Sequence, residues 1–286
     1  MQTVLVTGAS GYIGTRLVER LALDGHHVVA LSRKRIDIPG ITMVEGSFTD
    51  AKTVSALSRF KIDSVIHLGG VTGEANENDA MQVNVVGSSI LFRALINQGI
   101  KKFIVASSIA AVGCLTPDFT PRNLPIPEEH PCDSANIYGV SKYFIEELCA
   151  YYFRLDSQLD FTLFRIGAVL DDDIEPSTAL QIGKMTIPFC TLGTVSVSEV
   201  VDALILCISK PLGSGRQIMN LVSERIHSEI PTIEALQLCL GDRYKELNVD
   251  HYRITGNEFD ALYDTSLFKS FISEISNNAQ VLKKGS

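Results

Sequence analysis

Thr3-Val4-Leu5-Val6-Thr7-Gly8-Ala9-Ser10-Gly11-Tyr12-Ile13-Gly14 is the stretch that decides the fold. Thr3 to Thr7 is a short β-branched run and reads as a buried strand. Gly8 to Gly11 make a turn. Tyr12 to Leu23 then carry apolar residues at Ile13, Leu17, Val18 and Leu21, which is helical spacing, and Asp24-Gly25 closes the helix with a C-cap glycine. Glycines between a strand and a helix permit a tight turn and close backbone approach to a pyrophosphate. The helix start adds free N–H groups and a positive dipole end. Three glycines at this spacing elsewhere would be a plain turn; between strand and helix they point to a dinucleotide.

The pattern continues outward. His27 to Leu31 reads as a second strand and Thr42 to Glu45 as a third. Asp50 caps a helix running to about Phe60, and Ser64 to Leu68 is a strand. A helix over about Asn78 to Gln98, a strand over Phe103 to Ala106, a long helix over Ala135 to Leu155 and a strand over Phe161 to Ile166 follow. Strands alternating with helices predict parallel βαβ units, hence an α/β fold with a doubly wound parallel sheet. After Gly167 the regularity weakens. Ser198 to Ser209 is a helix with Val201, Leu204, Ile205 and Ile208 on one face; Ile218 to Val222 is a strand and Ile230 to Leu240 a helix. The expected division is a dinucleotide-binding domain over residues 1–167 and a smaller substrate lobe over residues 168–286, with a soft border and some later segments returning to the main sheet.

Pro117, Pro121, Pro125, Pro127 and Pro131 fall between Cys114 and Cys132 and predict a long loop, either functional or a plain surface excursion. The closing Lys283-Lys284-Gly285-Ser286 reads as a polar tail.

The 286 residues are 45% apolar and 20% charged, enough to bury a sizeable core. A net charge of −8 argues against nucleic acid or an anionic membrane as main partner, though not against a local basic pocket. No signal peptide and no apolar run of ~18 residues is present, so the expected location is the cytoplasm. The cysteines, at 114, 132, 149, 190, 207 and 239, form no C-x-x-C pair and no zinc pattern. They read as free, buried thiols, with a catalytic thiol as the alternative, and no metal site is expected.

Two further clusters bear on chemistry. The second strand ends Leu31-Ser32-Arg33-Lys34-Arg35. An acidic residue there would bind both adenosine ribose hydroxyls and repel a 2′-phosphate. Ser32 is neutral and Arg33 can clamp a phosphate, so NADP is favoured over NAD; the alternative is a solvated basic loop. Tyr138-Gly139-Val140-Ser141-Lys142 puts a phenol and an ammonium four apart on one helix face. Free tyrosine, with a pKa of about 10, is a poor base at neutral pH. Lys142 and a cationic nicotinamide together would lower it. Ser107-Ser108 stands at the C-terminal end of a parallel strand, where ligands bind in such sheets.

In these residues the chain resembles the extended short-chain dehydrogenase/reductases, the NAD-dependent epimerase/dehydratase family. The resemblance rests on T-G-A-S-G-Y-I-G at Thr7 to Gly14, V-I-H-L-G-G at Val65 to Gly70, N-V-V-G at Asn84 to Gly87, S-S-I-A-A-V-G at Ser107 to Gly113, and the Tyr138/Lys142 pair. F-R-I-G-A-V at Phe164 to Val169, V-S-V-S-E-V-V-D-A at Val195 to Ala203 and Asp264-Thr265-Ser266 extend it through the chain in family order. The resemblance implies a Rossmann-type sheet. It makes Tyr138 the general acid/base, Lys142 the holder of the nicotinamide ribose, and Ser108, rather than Ser107, the third catalytic residue. Gly8, Ser10, Gly11, Tyr12, Ile13 and Gly14 would form the cofactor loop, and Ser32 and Arg33 would meet the adenosine ribose. Leu68, Gly69 and Gly70 would pass along the cofactor. Asn84 would join the cofactor set by stabilising the fold beside it, and His67 would be structural. The helices over 78–98 and 135–155 resemble a four-helix homodimer interface.

Three features depart from the family pattern. Gly69-Gly70 replaces the usual Ala-Ala or Ala-Gly. His-Leu-Gly-Gly with Y-G-V-S-K and R-I-G is similar to uronate dehydrogenases, yet those carry an acid where Ser32 stands. Nucleotide-sugar enzymes place an arginine where this chain has Leu192. The resemblance therefore implies an NAD(P)-dependent oxidoreductase acting on a sugar-like or small carbonyl/alcohol substrate. The rivals are a nucleotide-sugar epimerase or dehydratase and a non-catalytic NADP-sensing regulator, and a regulator can dispense with the Tyr/Lys pair.

Overall fold

The alternation of β-branched runs and amphipathic stretches becomes nine strands and ten α-helices in the described part of a computed structural model, which covers residues 1–210, 212 and 215–284; Gly285-Ser286 of the polar tail lie outside it. In chain order these are β1 (Thr3–Thr7), α1 (Tyr12–Leu23), β2 (His27–Ser32), β3 (Ile41–Glu45), α2 (Ala51–Ser55), β4 (Ser64–His67), α3 (Glu77–Asp79), α4 (Ser88–Asn97), β5 (Lys102–Ser108) and α5 (Ile137–Leu155). Then come β6 (Asp160–Ile166), β7 (Ala168–Leu170), α6 (Ala179–Ile182), α7 (Pro188–Thr191), β8 (Thr194–Ser196), α8 (Val197–Ser209), β9 (Arg216–Leu221), α9 (Thr232–Leu240) and α10 (Ser266–Lys284).

The main sheet has the order β3-β2-β1-β4-β5-β6-β9, with β1 to β5 paired in parallel. Val4, Leu5 and Val6 of the central strand are fully buried. Each such side chain contributes roughly 1.5–3 kcal/mol on leaving water, which is why the opening run folds as a strand covered on both faces. The order reverses at β1, whose neighbours are β2 and β4, and a doubly wound sheet binds ligands outside the strand ends at such a switch point.

The chain forms two compact units, each assembled from three segments. The first comprises Met1–Ser107, Ser141–Phe164 and Val201–Ile218. Its core runs from Leu5, Val29 and Val65 to an aromatic group in which Phe92 meets Phe103 edge-on at 5.6 Å and Phe103 stacks on Phe161 at 5.0 Å. The second comprises Ser108–Val140, Arg165–Val200 and Met219–Ser286. It has its own core around Ile109, Phe189, Leu236, Tyr252 and Tyr263, and carries the two-stranded sheet β7-β8.

Where the spacing predicts one helix over 78–98, the chain makes α3, an eight-residue π-helix over Ala80–Gly87, and α4. Ser88 supplies a local reason. Its hydroxyl donates to the Asn84 carbonyl at 2.5 Å, competing for the oxygen that an α-helical N–H would take. The Asp50-capped helix likewise shortens to α2, followed by a 3-10 turn over Ala56–Arg59. Lys283 and Lys284, read from sequence as tail, end α10. The proline-rich stretch from Cys114 to Cys132 contains no helix and no strand longer than a single bridge residue, Ile126. Among the described residues no helix is long and apolar enough to cross a membrane, and no group of three metal-ligating side chains occurs.

Candidate active site

The first unit holds a cavity of about 390 Å³ lined by Gly8, Ser10, Gly11, Tyr12, Ile13 and Gly14 from the β1-α1 turn, Ser32 and Arg33 from the end of β2, and Leu68, Gly69 and Gly70 after β4. Twelve-residue α1 starts at this cavity, and its N-cap, Gly11, offers no side chain to the first-turn N–H groups. Those N–H groups and the dipole end suit a pyrophosphate.

The loop's glycines are sterically required. Gly8 has φ +71°, and a Cβ there would lie 2.8 Å from the Gly69 nitrogen. A Cβ on Gly14 would lie 2.2 Å from the Gly8 carbonyl oxygen. Packing also accounts for the Gly69-Gly70 departure. A Cβ on Gly69 would sit 2.6 Å from Phe48, and one on Gly70 would sit 2.8 Å from the Asn84 Oδ1. Phe48 has filled the space an alanine would use.

Sequence reasoning missed the third wall of this cavity, Gly46, Ser47, Phe48 and Thr49. They follow β3, and the rule that ligands sit beyond the C-terminal strand ends would have found them. At the end of β2, the Ser32 and Ser10 hydroxyls hydrogen-bond at 2.6 Å, and Ser32 Oγ accepts the Lys34 N–H at 3.2 Å. Ser32 is buried, whereas Arg33 is exposed at the cavity wall.

Behind the cavity runs a directional relay. The Gly69 N–H donates to Thr7 Oγ1 at 3.2 Å, and Thr7 Oγ1 lies 2.7 Å from His67 Nδ1. His67 Nε2 lies 2.9 Å from Ser88 Oγ, whose proton goes to Asn84 O. The tautomer follows. Ser88 has spent its one proton, so Nε2 carries the hydrogen and Nδ1 accepts from Thr7. Burial, with the Lys142 charge a smaller cause, pushes His67 down to about 3, so the ring is neutral. Asn84 lies beside this relay and not on the cavity wall. Its Oδ1 accepts the Val71 N–H at 2.8 Å, and its Nδ2 donates to Val71 O at 3.2 Å and to Ser141 Oγ at 2.9 Å.

Helix α5 carries both Tyr138 and Lys142. In the first unit, Lys142 is buried and its Nζ donates to the Ala106 carbonyl, near the end of β5, at 2.9 Å. Burial pushes its pKa down to about 8, against the pull of Glu146 one turn further on. Glu146, which sequence reasoning did not single out, is buried and accepts the Ser107 hydroxyl at 2.6 Å. Its signal was present as a carboxylate at the next i+4 position after Tyr138 and Lys142.

In the second unit, Asn136 caps the start of α5, its Oδ1 accepting the Tyr138 N–H at 2.9 Å. A Cβ on Gly139 would lie 2.2 Å from the Ala110 carbonyl oxygen, so the helix start presses on the turn after Ser108. Ser108 Oγ accepts the Ala110 N–H at 3.1 Å and stands near enough to the Tyr138 phenol to act on its ionisation. The two serines thus diverge, Ser107 to Glu146 and Ser108 to Tyr138, as alternate residues leaving a strand do. The expected lowering of the phenol is not found in the chain by itself. Burial pushes Tyr138 above its ordinary value, the Ser108 hydroxyl opposes that, and Cys190 and Cys114 add to the rise.

Leu192 is buried in the second unit's core. Arg165 is also buried, donating to the Glu128 carbonyl at 2.9 Å, while Asp171, Asp172 and Asp173 are exposed.

Comparison with known proteins bears on this geometry. Residues 4–170 match the model of the NAD-dependent epimerase/dehydratase family. A UDP-glucose 4-epimerase of Cyamopsis tetragonoloba is 32% identical over 184 residues, 57% of this chain and 51% of that one, so the match spans about half that relative's length. The crystal structure of uronate dehydrogenase from Agrobacterium tumefaciens superposes with a TM-score of 0.64 at 26% identity, covering 78% of this chain and 77% of that one. MoeE5 in complex with UDP-glucose and NAD superposes with a TM-score of 0.63 at 25% identity, covering 82% and 81%.

Proposed function

Since this chain belongs to the NAD-dependent epimerase/dehydratase family, we propose that it is an NAD(P)-dependent oxidoreductase that prefers NADP and acts on a sugar-like or other small carbonyl or alcohol compound without a nucleotide. The observation that carries this reading is the placement of the Ser108 hydroxyl beside the Tyr138 phenol, at the head of the helix that carries Lys142. The glycine-walled cavity fits a dinucleotide, because Gly8, Gly11 and Gly14 keep the turn tight at the start of α1, with no side chain between the backbone and a pyrophosphate. A nicotinamide held in this cavity would supply the hydride chemistry at the substrate carbon. Tyr138 holds the proton that the substrate oxygen loses or gains, and Ser108 orients that oxygen. Lys142, one helical turn beyond Tyr138 on α5, would hold the nicotinamide ribose, and its ammonium favours the phenolate. The second unit forms the substrate lobe.

The NADP preference rests on Ser32 and Arg33. Ser32 is neutral and already engaged by Ser10 and Lys34, while the Arg33 guanidinium is exposed at the same wall. The absence of a nucleotide rests on Leu192, a core residue where a diphosphate clamp would need an arginine fork. A nucleotide-sugar epimerase is the second reading, favoured by the relatives' names. A homodimer belongs to the same proposal: Phe144, Tyr151 and Leu155 leave an exposed apolar stripe on α5 at spacings of seven and four.

Turnover of sugars and uronates with NADP and NAD tests the reading. Tyr138→Phe should bind NADPH normally and lose ~100-fold or more in turnover; full activity in that variant would overturn it. Micromolar binding of UDP, GDP or dTDP by calorimetry in the presence of NADP would establish the epimerase reading instead.

A further inference from the structure

The Ser88 hydroxyl is buried and joins two groups from different parts of the first unit. It donates to the Asn84 carbonyl at 2.5 Å and stands 2.9 Å from His67 Nε2. The Ser88 N–H meanwhile turns to the Val85 carbonyl, three residues back, instead of to Asn84, four residues back, where an α-helix would send it. The hydroxyl stands in for that bond, and the eight residues Ala80–Gly87 keep the wider π-turn.

This segment meets the cavity at three separate stretches of its wall. Val83 is itself a wall residue. The Asn84 amide clasps the Val71 backbone, accepting its N–H at 2.8 Å and donating to its carbonyl at 3.2 Å, and Val71 lies between the wall residues Gly70 and Thr72. Gly87 packs so closely on the turn after β3 that a Cβ there would lie 2.6 Å from the Thr49 methyl and 2.9 Å from the Phe48 ring, both on the wall.

We propose that Ser88 is a positioning residue of the cofactor site: its hydroxyl holds Ala80–Gly87 in the π form, and that form gives the cavity the shape that takes NADP(H). This role rests on the dinucleotide reading above. A buried carbonyl keeps a partner. Without the hydroxyl, the partner at hand for the Asn84 carbonyl is the N–H of residue 88, which is the α-helical bond. Making that bond closes the turn from i→i+5 to i→i+4 and rotates Val83 and Asn84 about the helix axis relative to residue 88. Val83 then leaves the wall, and the clasp on Val71 opens. Gly87 cannot absorb the change, because Phe48 and Thr49 already press on it.

The test titrates the full-length protein and its Ser88→Thr, Ser88→Val and Ser88→Ala variants with NADPH, read by the fluorescence of the nicotinamide. Threonine and valine have nearly the same shape and differ in the hydroxyl. Ser88→Thr should bind within about twofold of wild type, whereas Ser88→Val and Ser88→Ala should bind about tenfold more weakly, the scale of one buried hydrogen bond. Phe161→Leu, in the aromatic core of the same unit and off the cavity wall, lowers stability with the hydroxyl intact, and its NADPH affinity should stay that of wild type. Wild-type affinity in Ser88→Val, a loss in Ser88→Thr equal to that in Ser88→Val, or an equal loss in Phe161→Leu overturns the proposal. Amide hydrogen exchange of the wild type needs no variant to fold: NADPH should slow exchange over residues 80–88, and unchanged exchange there also overturns it. Wild-type protein that binds neither NADPH nor NADH ends the dinucleotide reading and this role with it, whereas tight wild-type binding matched by Ser88→Val ends the role of Ser88 alone.

Discussion

Replacing His67 with glutamine should change how stability depends on acid more than it changes stability itself. The ring is 1% exposed and linked to Thr7 and Ser88. Its pKa is held at about 3, against 6.5 for the free side chain. Between those values the unfolded chain binds more protons than the folded one, so stability rises with pH across this window. The contribution is complete above about pH 6.5 and is lost as pH falls toward 3. The relay gives a second reason for the ring's neutrality. A proton on Nδ1 would point at the hydrogen that Thr7 donates. From the two values, acidification from pH 7 to pH 5 removes about 2 kcal/mol of this contribution, and the full window is worth about 5 kcal/mol. Glutamine can both donate and accept in the relay but does not titrate there. Urea denaturation of both proteins at pH 7 and pH 5 cancels every other titrating group. The stability difference between wild type and His67→Gln should shift by about 2 kcal/mol in favour of the variant on acidification. A gap that stays constant, or a wild-type His67 resonance titrating near 6.5 by NMR, would refute the neutral-ring argument.

Three other substitutions test separate parts of the molecule. Gly14→Ala places a Cβ 2.2 Å from the Gly8 carbonyl oxygen; it should cost about 1–3 kcal/mol of stability and weaken NADPH binding, both read in one thermal-shift titration, while Gly25→Ala, with no atom within 4 Å, should leave binding intact. Arg33→Ala should weaken NADP binding by about tenfold or more, the loss of a charge-assisted phosphate contact, and spare NAD; equal losses would make Arg33 a solvated residue. Glu146→Gln removes the carboxylate that supports the Lys142 charge; NADPH binding, which should fall in wild type as pH rises through about 8, should fall at lower pH in the variant, and an unmoved alkaline limb would leave Glu146 a packing residue only.

The parts of this chain legible in its sequence are those where one physical cause acts alone. The opening strand, turn and helix were readable to the residue at Tyr12 and Leu23 because burial, glycine sterics and helical spacing agree there. The interruption at Ala80–Gly87 was not readable. Apolar spacing registers a helix face but not a hydroxyl that takes a carbonyl oxygen within the helix. Three-residue β7 and β8 and four-residue α6 and α7 are too short to show a period.

The site divides the same way. Its glycines, Tyr138 and Lys142 declare themselves by spacing, whereas Phe48 and Glu146 depend on what the fold brings alongside. Gly69 and Gly70 show why that distinction matters. Against a family pattern they look like a loss of side chains, and in the structure each is a place already taken by Phe48 or Asn84. Asn84 then reaches Val71 on one side and Ser141 on the other, while its own carbonyl ends the relay that starts at the Gly69 N–H. The segment beside the cofactor cavity and the helix that carries Lys142 are therefore fixed through one amide. Asn84 thus ties the Val71 backbone to Ser141, the residue before Lys142, without lying on the cavity wall.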